Sequence, residues 1–398
     1  MPDRHASRFR RCEILVLEPR EEPAFDLASL LGGGAGISRR LRWLALAPHL
    51  GTEVEVDERQ REFLGSTSAT HWQALPAGGD QAEVCQSLLQ AGLLVSEHPA
   101  DPAQQRHHDA DQRQRTAHWH PLAAVLHAFT RWQGVDAVSN TRESATDTAV
   151  SMRAVLGAPP APTRVQACGT GLSLPLPEDT AFDDLLARRA TCRNFDETRP
   201  LPLQLFSRML ARTFGARGSV QVGDDLRFHK KGSPSGGGLH PTEAYLIVQN
   251  VEGIEAGLYY YRPEGHHLLR LPDPAAGLRA FAMEALGQQD WFANAHCVVT
   301  LVPRFDRTFW KYRRHAKGYR VVALEAGHLS QTLYLSATDL GLGAFITGAI
   351  NERLLEEVFG LDAVCQGALA MCGFGWRAHT METAELDPAG RVWERTGA

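Results

Sequence analysis

The segment "GSPSGGGLHPTEAYLIV", residues 232–248, constrains the fold more than any other stretch of the chain. Glycine loses more backbone freedom on folding than any other residue. A run of three is kept only where the backbone turns through positive φ or lies too close to another group for a side chain. A His-Pro pair and the run "AYLIVQN" follow at once, and that run predicts a buried strand. The loop therefore opens directly onto the core.

Other elements fall into place around it. "GLYYYRPEGHHLLRL" predicts a hairpin turning at Pro263, Glu264 and Gly265, and "HCVVTLVP" and "GALAMCG" predict two further strands. Val322, Ala326, Leu329, Leu333, Ala337 and Leu340 recur at steps of three and four, which predicts a helix over 318–340 closed by Gly341. Glu325, His328 and Gln331 lie on another face of it, either satisfied internally or turned towards a ligand. "LSLPLP" alternates as a strand leading into the domain, and Asp179 or Thr180 is placed to cap a helix over "AFDDLLARR". Strands interspersed with helices, several joined as hairpins, indicate an α+β domain. No GxGxxG follows a strand to suggest a dinucleotide fold.

Residues 8–97 read as a separate small unit. "TEVEVD" alternates as a strand, Asp57 caps "ERQREFLGS", and Asp80 with Glu83 forms a capping box before "VCQSLLQAGLLVSE". A helix ending at Gly92 and running straight into "LLV" is wing-like, so a small winged-helix-like domain is expected over 1–97. Residues 98–118 are polar and poor in large apolar groups, the composition of a linker, and His107, His108, His118 and His120 are expected to be solvated rather than metal-bound. "PLAAVLHAFTRW" predicts a helix and "GAPPAPT" a second linker, so a linker with a helical segment spans 98–170 and the main domain 171–398.

Composition bounds the function. With 43% hydrophobic and 22% charged residues the chain is a soluble globular protein, and a net charge of −5 gives no basic footprint for nucleic acid. No apolar run is long enough to span a membrane, and "MPDRHASRFRR" lacks the apolar core of a signal peptide, so a cytoplasmic protein is expected. The seven cysteines (12, 85, 168, 192, 297, 365, 372) have no CxxC spacing and are expected as free buried thiols.

"RRATCRNF", residues 188–195, carries a chemical signal. Arg189, Thr191 and Arg193 stand at spacing two, so an extended segment points all three one way. Two guanidiniums and a hydroxyl on one face suit a phosphate, although a solvated basic helix end has the same composition.

In order, "RRATCRNF", "PSGGGLHPTEAYLIV", "GLYYY", "WKYRRHAKGYR", "LEAGHLSQTLYLSATDLGLGA" and "CGFG" resemble the nitroreductase superfamily, and within it the SagB-type, McbC-like dehydrogenases. The resemblance covers roughly residues 170–378. It implies a nitroreductase-like FMN-binding fold, a central and mainly antiparallel sheet flanked by helices. It further implies FMN-dependent oxidation of peptide-borne thiazolines or oxazolines to thiazoles or oxazoles in maturation of a ribosomally made peptide. The implied partners are a precursor peptide, a cyclodehydratase that first makes the ring, and a second copy in a homodimer. An NAD(P)H-dependent nitro or quinone reductase, and a flavin-containing assembly subunit without catalysis, are the alternatives.

By the same resemblance Arg189, Thr191 and Arg193 hold the FMN phosphate, with Ala190-Thr191 where the family more often has arginine or histidine then serine, and Arg377 is a further phosphate partner. Ser235, Gly236, Gly237 and Gly238 lie against the isoalloxazine ring, and His240 and Pro241 fix the exit into the strand. Gln331 is counted with the cofactor residues, and Thr347 and Gly348 of "GAFITG" face the ring near its reactive N5. Lys311 and Tyr312 match the pair that removes the proton. A lysine among Arg313, Arg314 and a partly buried pocket would have its charged form disfavoured, while a solvated basic turn is the plain alternative. The front unit resembles elements that grip a leader peptide at a sheet edge, or serves as a scaffold.

Overall fold

A computed structural model describes residues 8–163 and 171–393. Cys168 and residues 1–7, on which the reading of the amino terminus drew, lie outside them. The chain forms two compact units, Met1–Arg131 with Phe305–Tyr319, and Trp132–Arg304 with Arg320–Ala398.

In the first unit, β1 (Arg8–Arg11) lies between β5 (Gln73–Ala74) and β6 (Leu94–Ser96), while β2 (Val16–Phe25), β3 (Ile37–Leu46) and β4 (Glu53–Glu55) form a second sheet. Helices Glu58–Ser66 and Asp80–Gln90 bury Leu64, Cys85, Leu88 and Leu89 with Phe9, Ala45 and Leu94. The Asp57 cap is formed: its side chain accepts the Gln60 N–H at 2.8 Å and Gln60 reciprocates. The Asp80–Glu83 capping box is not. Gly79, at φ 74, takes the N-cap position that a side chain would resist, which leaves both acids in the first turn, favoured there by the helix dipole. The strand after this helix pairs antiparallel with β1, and the long hairpin β2–β3 precedes the helices.

The segment expected as a polar linker is helical over Pro102–Thr116, capped by Asp101. Its polar residues are used inward: buried Asp111 accepts the Glu13 N–H and Arg115 Nε, each at 2.6 Å. Composition alone hides this, because a polar helix and a polar linker share it. The helix Phe305–Lys311 belongs to this unit through an aromatic cluster, with the Trp119 ring 4.8 Å from Phe305 and 4.7 Å from Phe309.

In the second unit, β7 (Gly218–Val222) and β8 (Leu226–Lys230) form a hairpin. The main sheet holds β9 (Thr242–Val248), β10 (Gly257–Arg262), β11 (His267–Arg270), β12 (Cys297–Pro303), β13 (Gly343–Thr347) and β14 (Ala370–Gly375). Its order is β11-β10-β9-β12-β14-β13, and every pair is antiparallel. Every residue of β12 is buried, because helices cover both faces of the sheet. Leu203–Thr213 and Gly318–Asp339 pack on one face through Phe206, Leu329 and Leu333 against Leu246 and Val299. Leu278–Ala285 and Glu352–Phe359 pack on the other through Phe281 and Leu355 against Ile247 and Val298. This is the α+β arrangement expected, with the hairpin, strands and long helix where the sequence places them. Gly341, at φ 71, ends the long helix, and the Leu342 N–H closes onto the Ala337 carbonyl at 2.8 Å.

"LSLPLP" forms no strand. Leu172, Leu174 and Leu176 are exposed, for alternation makes a strand only where a ladder partner and a face to cover exist. Thr180, not Asp179, caps the helix Ala181–Arg188. Cys12, Cys85, Cys192, Cys297 and Cys372 are free and buried, and Cys365 is half-buried. Burial pushes the Cys85 thiol up to about 11 and that of Cys192 to about 12. Among the described residues, no helix is long and apolar enough to cross a membrane.

Candidate functional site

The glycine loop is built against the long helix. Gly237 and Gly238 stand at φ 66 and 69, and His240 at φ 47 is strained for a residue with a side chain. The Ser235 hydroxyl donates to the Glu325 carboxylate and accepts the His240 N–H at 2.9 Å, and the other Glu325 oxygen accepts the Thr242 N–H at 3.1 Å. A Cβ on Gly236 would stand 2.0 Å from Val321 Cγ1. The glycines thus have reasons internal to the fold: Gly236 makes room for the helix, and the other two turn the chain. Of the three polar residues on the helix, Glu325 is buried and satisfied, His328 meets the Pro234 carbonyl at 3.2 Å, and Gln331 is exposed.

"RRATCRNF" is extended where its site residues lie. Ala190, Cys192 and Asn194 are buried while Arg189, Thr191 and Arg193 are half-buried, so the two sets alternate as the spacing predicts. Thr191 bridges to Ala344 at the start of β13, and the Cys192 N–H donates to the Ala344 carbonyl at 2.8 Å. Gly343 permits this approach, since a Cβ there would stand 2.5 Å from Cys192 Sγ. The Thr191 and Tyr334 hydroxyls share a hydrogen bond of 2.9 Å, and the Arg189 guanidinium lies 5.4 Å from the Tyr334 ring centre. Burial pushes the Tyr334 phenol up, so it stays neutral.

Arg193 and Arg377 are the remaining phosphate candidates. The Arg193 guanidinium lies 5.8 Å from the centre of the Phe292 ring, and Arg377 is ion-paired with Glu385, whose side chain has no exposure. The structure therefore groups Arg189 with Thr191 at Tyr334, and the Arg193 backbone with Arg377 at Glu385. At the far end of β13 the Thr347 hydroxyl donates to Gln289 Oε1 at 3.1 Å and accepts the Ala349 N–H, so its side chain is committed. Gly348 is exposed, with no heavy atom within 4 Å of where a Cβ would stand.

Lys311 and Tyr312 belong to the first unit. Lys311 is exposed, with Nζ 5.6 Å from the centre of the Tyr312 ring. The partly buried, cationic pocket expected around it is not formed: Arg313 Nε donates to the Trp310 carbonyl at 3.3 Å and Arg314 to Glu13 at 2.6 Å. Sequence reasoning missed Tyr334 and Glu385. Tyr334 hides in an apolar helix, and Glu385 lies beyond the last recognisable motif.

A profile of the Nitroreductase family matches residues 186–376. MJ1384 of Methanocaldococcus jannaschii, named only provisionally as a nitroreductase, is 34% identical over 187 residues, 47% of this chain and 88% of that protein. The trifolitoxin-processing protein TfxB of Rhizobium leguminosarum bv. trifolii is 33% identical over 156 residues, 37% of this chain and 39% of TfxB. The microcin B17-processing protein McbC of Escherichia coli is 25% identical over 195 residues, 46% of this chain and 65% of McbC. The match thus spans less than two thirds of either processing protein. The matched residues hold the extended arginine segment, the glycine loop, the long helix and the whole antiparallel sheet, and with MJ1384 matched over most of its length this chain belongs to the nitroreductase family.

Proposed function

We propose that this protein is an FMN-dependent dehydrogenase that oxidises peptide-borne thiazolines or oxazolines to the aromatic azoles during maturation of a ribosomally made peptide. One observation carries the cofactor: Arg189 and Thr191 sit half-exposed beside Ala344, and open backbone follows at Gly348. Four residue steps lead from Ala344 to Gly348, about 13 Å at the usual strand rise, on the order of an extended flavin mononucleotide. Similarity to two peptide-processing proteins supports the substrate class.

In this reading Arg189, Thr191, Arg193 and Arg377 together hold the phosphate, the backbone at Thr347 and Gly348 faces the ring, and the Ser235–Gly238 turn supports it. When bound, FMN would supply the hydride acceptor for one carbon of the azoline. Lys311, with Tyr312, takes the proton from the neighbouring carbon. Lys311 is exposed in the single chain, so the burial that favours an uncharged base comes from the peptide or from a second copy. A homodimer also gives the exposed Leu172, Leu174 and Leu176 a surface to cover. The front unit grips the precursor's leader at a sheet edge, a cyclodehydratase supplies the azoline, and the free buried thiols suit the cytoplasm.

MJ1384, matched over 88% of its length, favours a second reading as an NAD(P)H-dependent nitro or quinone reductase. One experiment separates them: anaerobic holoprotein is mixed with a thiazoline-containing peptide and the oxidised flavin band is followed. Bleaching, with the peptide lighter by two hydrogens, is the expected result. A band that persists with the azoline and bleaches with NADPH hands the protein to the reductase reading.

A further inference from the structure

Five donors converge on the carboxylate of Glu385. One oxygen accepts the N–H groups of Arg193 and Asn194 at 2.5 and 3.1 Å and Asn194 Nδ2 at 2.8 Å. The other accepts Trp393 Nε1 at 2.8 Å and the Arg377 guanidinium. Consecutive backbone N–H groups beside a guanidinium form a seat for any phosphate or carboxylate, and here the chain fills it with its own side chain. The segment that delivers Glu385 has no regular structure from 382 to 386 and is moored by Asn194, whose Oδ1 accepts the Glu382 and Thr383 N–H groups, both at 2.8 Å.

The same segment divides space. A cavity of about 680 Å³ is lined by Thr383, Glu385 and Leu386, and one of about 580 Å³ by Glu382 and Thr383. Arg193 and Trp291 line both. Trp291 Nε1, a buried donor, has no acceptor among the described residues.

We propose that residues 382–386 are an internal occupant of an anion site, and that the phosphate of a flavin mononucleotide displaces Glu385 from Arg377 and from the amides of Arg193 and Asn194. The idea rests on the FMN reading above. With the segment docked, the charge of Arg377 is neutralised and an incoming phosphate meets a fixed carboxylate. Affinity for the phosphate is reduced by the fraction of molecules in which the seat is free. Glu385 thereby sets how strongly the site distinguishes FMN from riboflavin, which has the ring and no phosphate.

The test uses the full chain freed of flavin, with Glu385→Gln. The amide turns an NH2 group towards one set of donors, so the segment loosens while the apolar packing stays. FMN and riboflavin binding are read by quenching of flavin fluorescence, and inorganic phosphate by the change in melting temperature. FMN is expected to bind about tenfold more tightly to the variant, for a segment docked about nine-tenths of the time, with riboflavin unchanged. Phosphate is expected to raise the melting temperature of the variant and not of the unsubstituted protein. FMN affinity that stays the same or weakens overturns the proposal and leaves Glu385 a structural anchor. Trp393→Phe, which removes one donor to the carboxylate and keeps a ring there, serves if the first variant does not fold; a smaller tightening is expected, and none overturns it. If the unsubstituted protein binds neither flavin, the FMN reading falls and the inorganic phosphate result alone decides the anion site.

Discussion

Ser235 donates its hydroxyl to Glu325, and through that one buried carboxylate the start of the glycine loop and the start of β9 are tied to the same turn of the long helix. The loop's shape therefore depends on the helix as well as on its glycines. Glu325→Ala is expected to leave the Thr242 N–H buried and unpaired and to destabilise the second unit by about 1–3 kcal/mol in urea unfolding. Ser235→Ala in the same background should add little, because the pair acts as one interaction. Full additivity of the two losses would show that the contact is incidental.

Gly236→Ala tests the fit of loop to helix. The new methyl would stand 2.0 Å from Val321 Cγ1, an overlap expected to reduce stability by about 1–3 kcal/mol. Adding Val321→Ala should recover most of that loss. A double variant as weak as the sum of the single ones sinks the packing argument and points to backbone strain instead.

Arg189→Ala separates phosphate binding from ring binding. Loss of a charge-assisted hydrogen bond is expected to weaken FMN by about ten- to a hundredfold, roughly 1.5–3 kcal/mol, and to leave riboflavin unchanged. Equal loss for both flavins would place Arg189 elsewhere than at the phosphate.

Lys311→Ala is expected to retain bound FMN and to lose azoline oxidation by about a hundredfold or more, the range for a missing general base. Flavin content from the absorption spectrum and product mass together decide it. Undiminished oxidation returns "KYRRHAK" to a solvated turn.

Acid should weaken the second unit through His296. Burial holds this imidazole below its ordinary 6.5; Nε2 donates to the Arg199 carbonyl at 2.9 Å, and Nδ1 is buried with no donor to accept. The unfolded chain then binds a proton that the folded chain refuses, so stability rises with pH. The contribution is fully present above about 6.5 and is lost as pH falls from there towards the lower folded value. Urea midpoints measured on both sides of that value should fall on the acid side, and His296→Gln should flatten the slope. His49 and His107, in the first unit, are also held low, by burial first, so acid should weaken that unit as well.

The sequence by itself determined the periodic elements. The strand runs that became β9 to β12 and β14, the long helix, its glycine stop and the Asp57 cap all follow from neighbours a few residues apart, where hydrophobic period and capping chemistry act. The spacing of Arg189, Thr191 and Arg193 likewise predicted their alternation with buried Ala190, Cys192 and Asn194. Only the tertiary structure decided what the polar residues do. A linker-like run is a helix because Asp111 meets Glu13, 98 positions away, and an alternating "LSLPLP" is no strand because no ladder partner lies beside it among the described residues. Tyr334 reaches Thr191 across 143 positions and Glu385 reaches Arg193 across 192. Hydrogen bonds over such separations depend on the path of the whole chain, so local pattern carries no trace of them.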